Sequence, residues 1–307
     1  MNWPEKITIV GAGAIGVLLG VKLASAGRKV SYIDRAPQVD EIARKGLLLQ
    51  SVDSEDLRVE RPTITLDPSQ LGQQDLVVLA VKAHQILEVV GDLGLLLKAD
   101  TTILTVQNGL PWWYFQRHSG KHEGRHLSSL DPSGSIAANI DASRIIGCVA
   151  YPAAENVSPG HVRHVEGNRF TLGELDGSES KRCRLIADAL IESGFKSYVI
   201  DDIRAEIWLK AWGALSFNPI SALTRGTMED ICRSPGTRWL AREMMREAEM
   251  VANKLGVRFR HTIDKRLEGA EKVGAHKTSM LQDVERGEHL ELNALVGTVL
   301  ELSLIHI

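Results

Sequence analysis

Lys210, Ala214 and Asn218 stand at i, i+4 and i+8 of the run IWLKAWGALSFN, with Pro219 directly after, so a helix over 203–217 would set them on one face. An ammonium and an amide facing one cleft can serve a carbonyl substrate, the ammonium by giving a proton to the oxygen as charge develops there. An exposed lysine and a helix-capping asparagine ahead of proline fit the same spacing. Two further polar clusters follow apolar runs of β type: Val81-Lys82-Ala83-His84-Gln85 after 76–81, and Gln107-Asn108-Gly109 after 102–106. Ligands of open parallel sheets bind at the carboxyl ends of strands, and this shared location separates Lys82 and Asn108 from a solvated lysine and an ordinary turn.

Near the end of the chain, Thr278-Ser279-Met280-Leu281-Gln282-Asp283 reads as a helix start, Gly287 as an interruption and Glu291 as the opening of another helical run. One straight helix would separate Ser279 from Glu291 by about 18 Å at ~1.5 Å per residue, whereas a turn at Gly287 would bring them together. Taken alone, Ser279 is an N-cap and Glu291 a first-turn partner of the helix dipole. His122-Glu123-Gly124-Arg125-His126 matches HExxH, which on a helix places two zinc ligands and a base on one face. It falls in QRHSGKHEGRHLSSLDPSGS, residues 116–135, a Gly- and Ser-rich stretch with no apolar face that reads as a long surface loop, so no metal is expected.

The elements that position these residues begin with ITIVGAGAIGVLLGVKLASAGRKVSYIDR, residues 7–35. A β-branched run breaks into Gly11-x-Gly13-x-x-Gly16, a helical pattern covers 14–26, and a second apolar run ends at Asp34. Gly11 permits the tight turn, Gly13 lets backbone approach a pyrophosphate and Gly16 lets the helix pack on the strand. The anion would sit at the helix N-terminus beside Ala14 and Ile15, where free N–H groups and the dipole favour it. Asp34 is placed to bond the ribose 2′-OH of NAD and to repel the 2′-phosphate of NADP, while Arg35 can pair with that phosphate.

Apolar runs at 7–10, 30–33, 76–81, 102–106 and 145–151 with helical patterns between them give the rhythm of a parallel sheet, and 160–175 alternates as a hairpin at the sheet edge would. From Asp201 the texture changes to amphipathic patterns at 203–217, 237–255, 262–272, 279–286 and 290–301 with no strand signal. The fold expected is α/β: a Rossmann-like dinucleotide-binding domain over 1–200, then an all-helical domain over 201–307.

At 307 residues, 44% hydrophobic and 24% charged, the chain suits two domains with sizeable cores. A net charge of −3 gives no footprint for nucleic acid or an anionic membrane, and no run approaches the ~20 apolar residues of a membrane helix. Three cysteines without CxxC spacing, and a start that goes straight into a strand pattern, point to the reducing cytoplasm.

Together, GAGAIG, VKAHQ, QNG, IWLKAWGALSFNPISALT and HKTSMLQDVERGEHLELNALVG resemble the 2-dehydropantoate 2-reductase (ketopantoate reductase) family, and the resemblance spans residues 7 to about 300. It implies an active site between the two domains and reduction of 2-dehydropantoate to (R)-pantoate by hydride from NADPH, on the way to pantothenate and coenzyme A. Lys210 then matches the proton-donating lysine, Glu291 the acid that completes the catalytic cleft, and Asn108 the asparagine that holds nicotinamide and substrate. Ser279 and Asn218 match substrate contacts, and Lys82 a lysine near the cofactor and the reacting centre. Many members carry an asparagine where this chain has Ala214, which admits another branched 2-keto acid as substrate; a non-catalytic dinucleotide-binding regulator is the alternative from another class. NADP(H) is expected on the resemblance, with NAD(H) admitted by Asp34, and a homodimer is a family-level expectation. Members usually continue through another helix where this chain ends in LSLIHI, so residues 302–307 read as a truncation or a foreign tail.

Overall fold

In a computed structural model describing residues 3–52 and 55–305, the first strand, β1 (Lys6–Val10), buries four of its five residues and runs into the glycine turn. There follow α1 (Ala14–Ser25), β2 (Lys29–Ile33), α2 (Ala36–Lys45), β3 (Leu47–Ser51), β4 (Leu57–Val59), β5 (Thr63–Thr65) and β6 (Gln74–Leu79). After α3 (Ile86–Val89) come β7 (Leu97–Thr105), α4 (Ser135–Asn139), β8 (Ile145–Ala150), β9 (Ala153–Ser158), β10 (His161–Glu166), β11 (Arg169–Glu174), α5 (Lys181–Glu192) and β12 (Lys196–Val199). The large sheet has the order β12-β11-β8-β7-β6-β1-β2-β5, and its strands from β5 to β8 are all parallel. The order reverses between β1 and β6, the switch point at which doubly wound sheets bind ligands.

A second sheet, β4-β3-β10-β9, covers the other side of α1, which packs on β1 and β2 and also on β3, β4, β9 and β10. A helix buried all round must be apolar all round, which explains GVLLGV and the burial of Gly16 to Val21 without a break. Each buried Val or Leu there contributes roughly 1.5–3 kcal/mol. The second sheet corrects the expected 160–175 hairpin: β10 pairs antiparallel with β9 in the small sheet, whereas β11 crosses to the large one and lies between β8 and β12. Asn168, between them, feeds β12 through its carbonyl, so the alternation of 160–175 belongs to two strands in different sheets.

The helical part consists of α6 (Ile203–Thr224), α7 (Met228–Arg233), α8 (Pro235–Lys254), α9 (Ile263–Lys272), α10 (Ser279–Arg286), a π turn at Asn293–Gly297 and α11 (Thr298–Ile305). Its core gathers Trp208, Trp212, Met245, Leu267, Leu281, Leu295 and Leu302, with the Trp212 indole N–H donating to the Met245 carbonyl at 2.7 Å. Contacts divide the chain into two units. One holds residues 1–107, 115–126 and 133–203; the other holds 204–307 and also takes in 108–114 and 127–132. The expected surface loop at 116–135 is therefore only partly one, since Leu127, Leu130 and Asp131 are buried. Glu301 on α11 accepts the N–H groups of Ser128 and Ser129, each at 2.8 Å, which seats that stretch on the helical unit. His306 and Ile307 of the suspected tail lie outside the described residues, while Leu302 within it is buried.

Candidate active site

In the α/β unit the glycine loop has the geometry its spacing requires. Gly11 sits at φ +105°, and a Cβ there would lie 2.7 Å from the Val81 amide nitrogen. A Cβ on Gly16 would collide with the Gly11 carbonyl oxygen, so helix and loop touch backbone to backbone. Gly13 differs from both. Its φ of −80° suits any residue and a Cβ would meet nothing within 4 Å, so no neighbour in the protein demands glycine there. The N-terminus of α1, with Ala14 and Ile15 in its first turn and no side chain capping it, leaves backbone N–H groups beside that open space, an arrangement that suits an anion such as a pyrophosphate. Asp34, at the end of β2, is tied to this loop: one carboxylate oxygen accepts the Ala12 N–H at 2.6 Å and the other the Arg35 N–H at 2.7 Å. The Arg35 side chain is exposed beside it.

Lys82 follows the end of β6, half-buried, and its N–H donates to the Gln85 side chain at 3.0 Å, which turns the chain into a short 3₁₀ segment over Ala83–Gln85. Gln107 fastens this edge, its amide nitrogen donating to the carbonyls of Leu79 at 2.6 Å and Val81 at 3.2 Å. The sequence marks Gln107 only as part of a turn; its supporting role was not among the expected ones.

In the helical unit, Lys210, Ala214 and Asn218 are the half-buried positions of an otherwise buried stretch of α6. The helix does not end before Pro219 as expected but runs through it to Thr224. Proline removes one ladder bond at a cost of about 3 kcal/mol. Here Phe217 and Ile220 are both 2% exposed, and their burial on either side of Pro219 outweighs that loss. Asn218 is thus a residue of the helix interior and not a cap.

The Lys210 ammonium donates to the Asn108 side-chain oxygen at 2.6 Å, joining residues 102 positions apart. The segment carrying Asn108 is held to α6 at two more points, with Arg204 donating to the Tyr114 carbonyl at 2.6 Å and the Trp208 indole donating to the Tyr114 hydroxyl at 2.8 Å. Asn218 donates to the Ser279 hydroxyl at 3.4 Å. Ser279 is not the N-cap expected of it: Thr278 caps α10 by accepting the Leu281 N–H at 3.2 Å, and Ser279 is the first helical residue. Gly287 ends α10 in the left-handed region, at φ +69°, and Glu291 lies half-buried just before the helical segment that opens at Leu292.

The HExxH stretch forms turns and not a helix, so the match does not present its side chains on one face. Burial opposes the charged form of Glu123, but the backbone N–H groups of Ser119, Arg117 and His118 outweigh it and hold the carboxyl below its ordinary range. The bonds from Arg117 and Ser119 measure 2.8 and 2.7 Å, so this glutamate closes a turn. Among the described residues no group of three or more His, Cys, Asp or Glu side chains could hold a metal ion.

A doubly wound sheet with a glycine turn at the head of its first helix, followed by a helical unit, is an architecture shared by dinucleotide-binding oxidoreductases. Residues 7–177 match the model of the family described as "Ketopantoate reductase PanE/ApbA", and residues 202–304 match that of its C-terminal domain. A 2-dehydropantoate 2-reductase from Mesorhizobium japonicum is 49% identical over 298 residues, covering 97% of this chain and 91% of the relative. A crystal structure from Ralstonia solanacearum MolK2 with a provisional ketopantoate reductase name superposes with a TM-score of 0.93 at 34% identity, covering 98% of this chain and 92% of the other. The 2-dehydropantoate 2-reductase of Geobacter metallireducens gives 0.84 at 28% identity, over 97% and 93%. The chain belongs to the ketopantoate reductase PanE/ApbA family, whose members use a nicotinamide coenzyme.

Proposed function

We propose that this protein reduces 2-dehydropantoate to (R)-pantoate in the synthesis of pantothenate and coenzyme A, with Lys210 as general acid. The observation that carries the reading is the 2.6 Å bond between Lys210 and Asn108, an ammonium held by an amide oxygen on a half-buried helix face. The bound coenzyme supplies the hydride to the keto carbon. The remaining chemistry belongs to the chain. Lys210 gives a proton to the oxygen that becomes negative, and Asn108, which can accept but not take that proton, keeps the ammonium aimed. Ser279 and Asn218 orient the substrate's carboxylate and hydroxyl, and the Glu291 carboxylate favours the charged form of the lysine.

NADPH is the proposed reductant. Each Asp34 oxygen already accepts a backbone N–H, which spreads the negative charge that would repel a 2′-phosphate, and the exposed Arg35 guanidinium is free to face solvent anions beside it. Gly11, Gly13, Ala14, Ile15, Gly16 and Lys82 complete the coenzyme contacts in this reading. The cytoplasm is the proposed compartment; no described helix is long and apolar enough to cross a membrane. Self-association as a dimer is proposed from the family.

One feature favours a second substrate. Ala214 puts a methyl group between Lys210 and Asn218 on the half-buried face, where an amide would offer a further hydrogen bond, so another branched 2-keto acid fits that position as well. Mass spectrometry of the products formed from a panel of 2-keto acids and NADPH separates the two. Pantoate as the fastest product supports the first reading, and preferred reduction of a different branched acid replaces it with the second.

A further inference from the structure

The π turn at Asn293–Gly297, two residues after Glu291, has a consequence for Asn108. In an α-helix the N–H of Thr298 would bond the carbonyl four residues back, that of Ala294. Here it bonds the Asn293 carbonyl, five back, and the Thr298 hydroxyl donates to the same oxygen at 2.7 Å. The Ala294 carbonyl is released from that bond and accepts the N–H of Leu110 at 2.8 Å. Gly109 closes on the same oxygen: it sits at φ +80°, and a Cβ there would collide with the Ala294 carbonyl. The next residue back is Asn108, whose amide oxygen receives the Lys210 ammonium. Thr298 also shares a 3.0 Å hydrogen bond with Ser129, so the helix that carries the π turn holds both inserted segments of the helical unit.

A π turn is an uncommon and strained insertion in a helix, and such turns concentrate at functional sites. We infer that this one is a positioning device: the carbonyl it releases, together with Gly109, fixes the Asn108 amide against Lys210. The inference rests on Lys210 being the general acid of a reductase.

The test compares Gly109→Ala and Thr298→Val with the full-length wild type. A displacement of about 1 Å in a catalytic group can cost on the order of 100-fold in rate, so Gly109→Ala is expected to lower kcat by about 10- to 100-fold. Its affinity for NADPH, read by fluorescence titration without substrate, falls by a smaller factor than kcat, since the pyrophosphate and ribose contacts proposed for the glycine loop lie outside this segment, and KM for the keto acid also moves less than kcat. Thr298→Val, close to isosteric, removes the hydroxyl that secures the Asn293 carbonyl and keeps the test decisive if Gly109→Ala does not fold. Its kcat is expected to fall about threefold to tenfold, with NADPH affinity again moving by a smaller factor. Gly236→Ala, at an open position with no neighbour, is the control and keeps wild-type kinetics. A folded pair of variants with wild-type kcat, or with NADPH affinity falling by as large a factor as kcat, overturns the inference. A wild type that binds NADPH and reduces no keto acid sinks the functional reading, and this inference with it.

Discussion

At the scale of single residues, the proposed chemistry draws on two polar contacts, Lys210 with Asn108 and Asn218 with Ser279. Only the first is close enough to be a strong bond; the second, at 3.4 Å, is loose enough for a substrate oxygen to replace it. Removing the ammonium by Lys210→Ala is expected to lower kcat about 100- to 10,000-fold, the range of general acid catalysis. NADPH binding, followed by calorimetry, should stay largely intact, and wild-type turnover in this variant would end the general-acid assignment. Ser279→Ala removes a group proposed to bind substrate and transition state alike. It should raise KM for the keto acid by about 3- to 30-fold with little change in kcat, and a selective loss of kcat in steady-state kinetics would instead make Ser279 a participant in proton transfer.

At the scale of elements, the glycine loop separates a glycine the fold needs from one it does not. Gly16 has the Gly11 carbonyl in the place of a side chain, whereas Gly13 has open space. Gly16→Ala is therefore expected to destabilise the protein by several kcal/mol, about 3 or more, with loss of the native melting transition. Gly13→Ala should melt within about 0.5 kcal/mol of wild type but bind NADPH at least tenfold more weakly, and unchanged binding in that variant would take the pyrophosphate out of this loop. This loop and the strands β1, β2, β6, β7 and β8 are legible in the sequence because each rests on local signals: β-branched runs, glycines at fixed offsets, a helix between. The small sheet is not, because β10 pairs with β3 more than a hundred residues earlier and no local pattern encodes a partner. For the same reason, spacing shows Lys210 and Asn218 on one helix face but not Asn108 beside Lys210. The groups that hold Asn108 are a backbone carbonyl and a left-handed glycine, which hydropathy does not register. Pro219 misleads as a helix stop because burial of Phe217 and Ile220, a tertiary effect, overrides it.

At the scale of the whole molecule, the cores of the two units hide chemistry that the reaction does not use. Cys148, Cys183 and Cys232 are in no disulfide and all are buried. Burial, helped by the Glu174 carboxylate and opposed by Arg182, pushes the Cys183 thiol up to about 12, and burial also raises that of Cys232. Since the thiolate is the reactive form, native protein at mildly alkaline pH should release no chromophore from an aromatic disulfide reagent, and denaturant should expose three thiols. Rapid labelling of the native state would show that a unit opens readily. The central claim concerns the reaction, and it is tested most directly by following the loss of reduced coenzyme, NADPH and NADH in separate assays, when 2-dehydropantoate is added to the purified protein. The account predicts rapid consumption of NADPH and slower consumption of NADH. No consumption of either coenzyme by protein that binds them would contradict it.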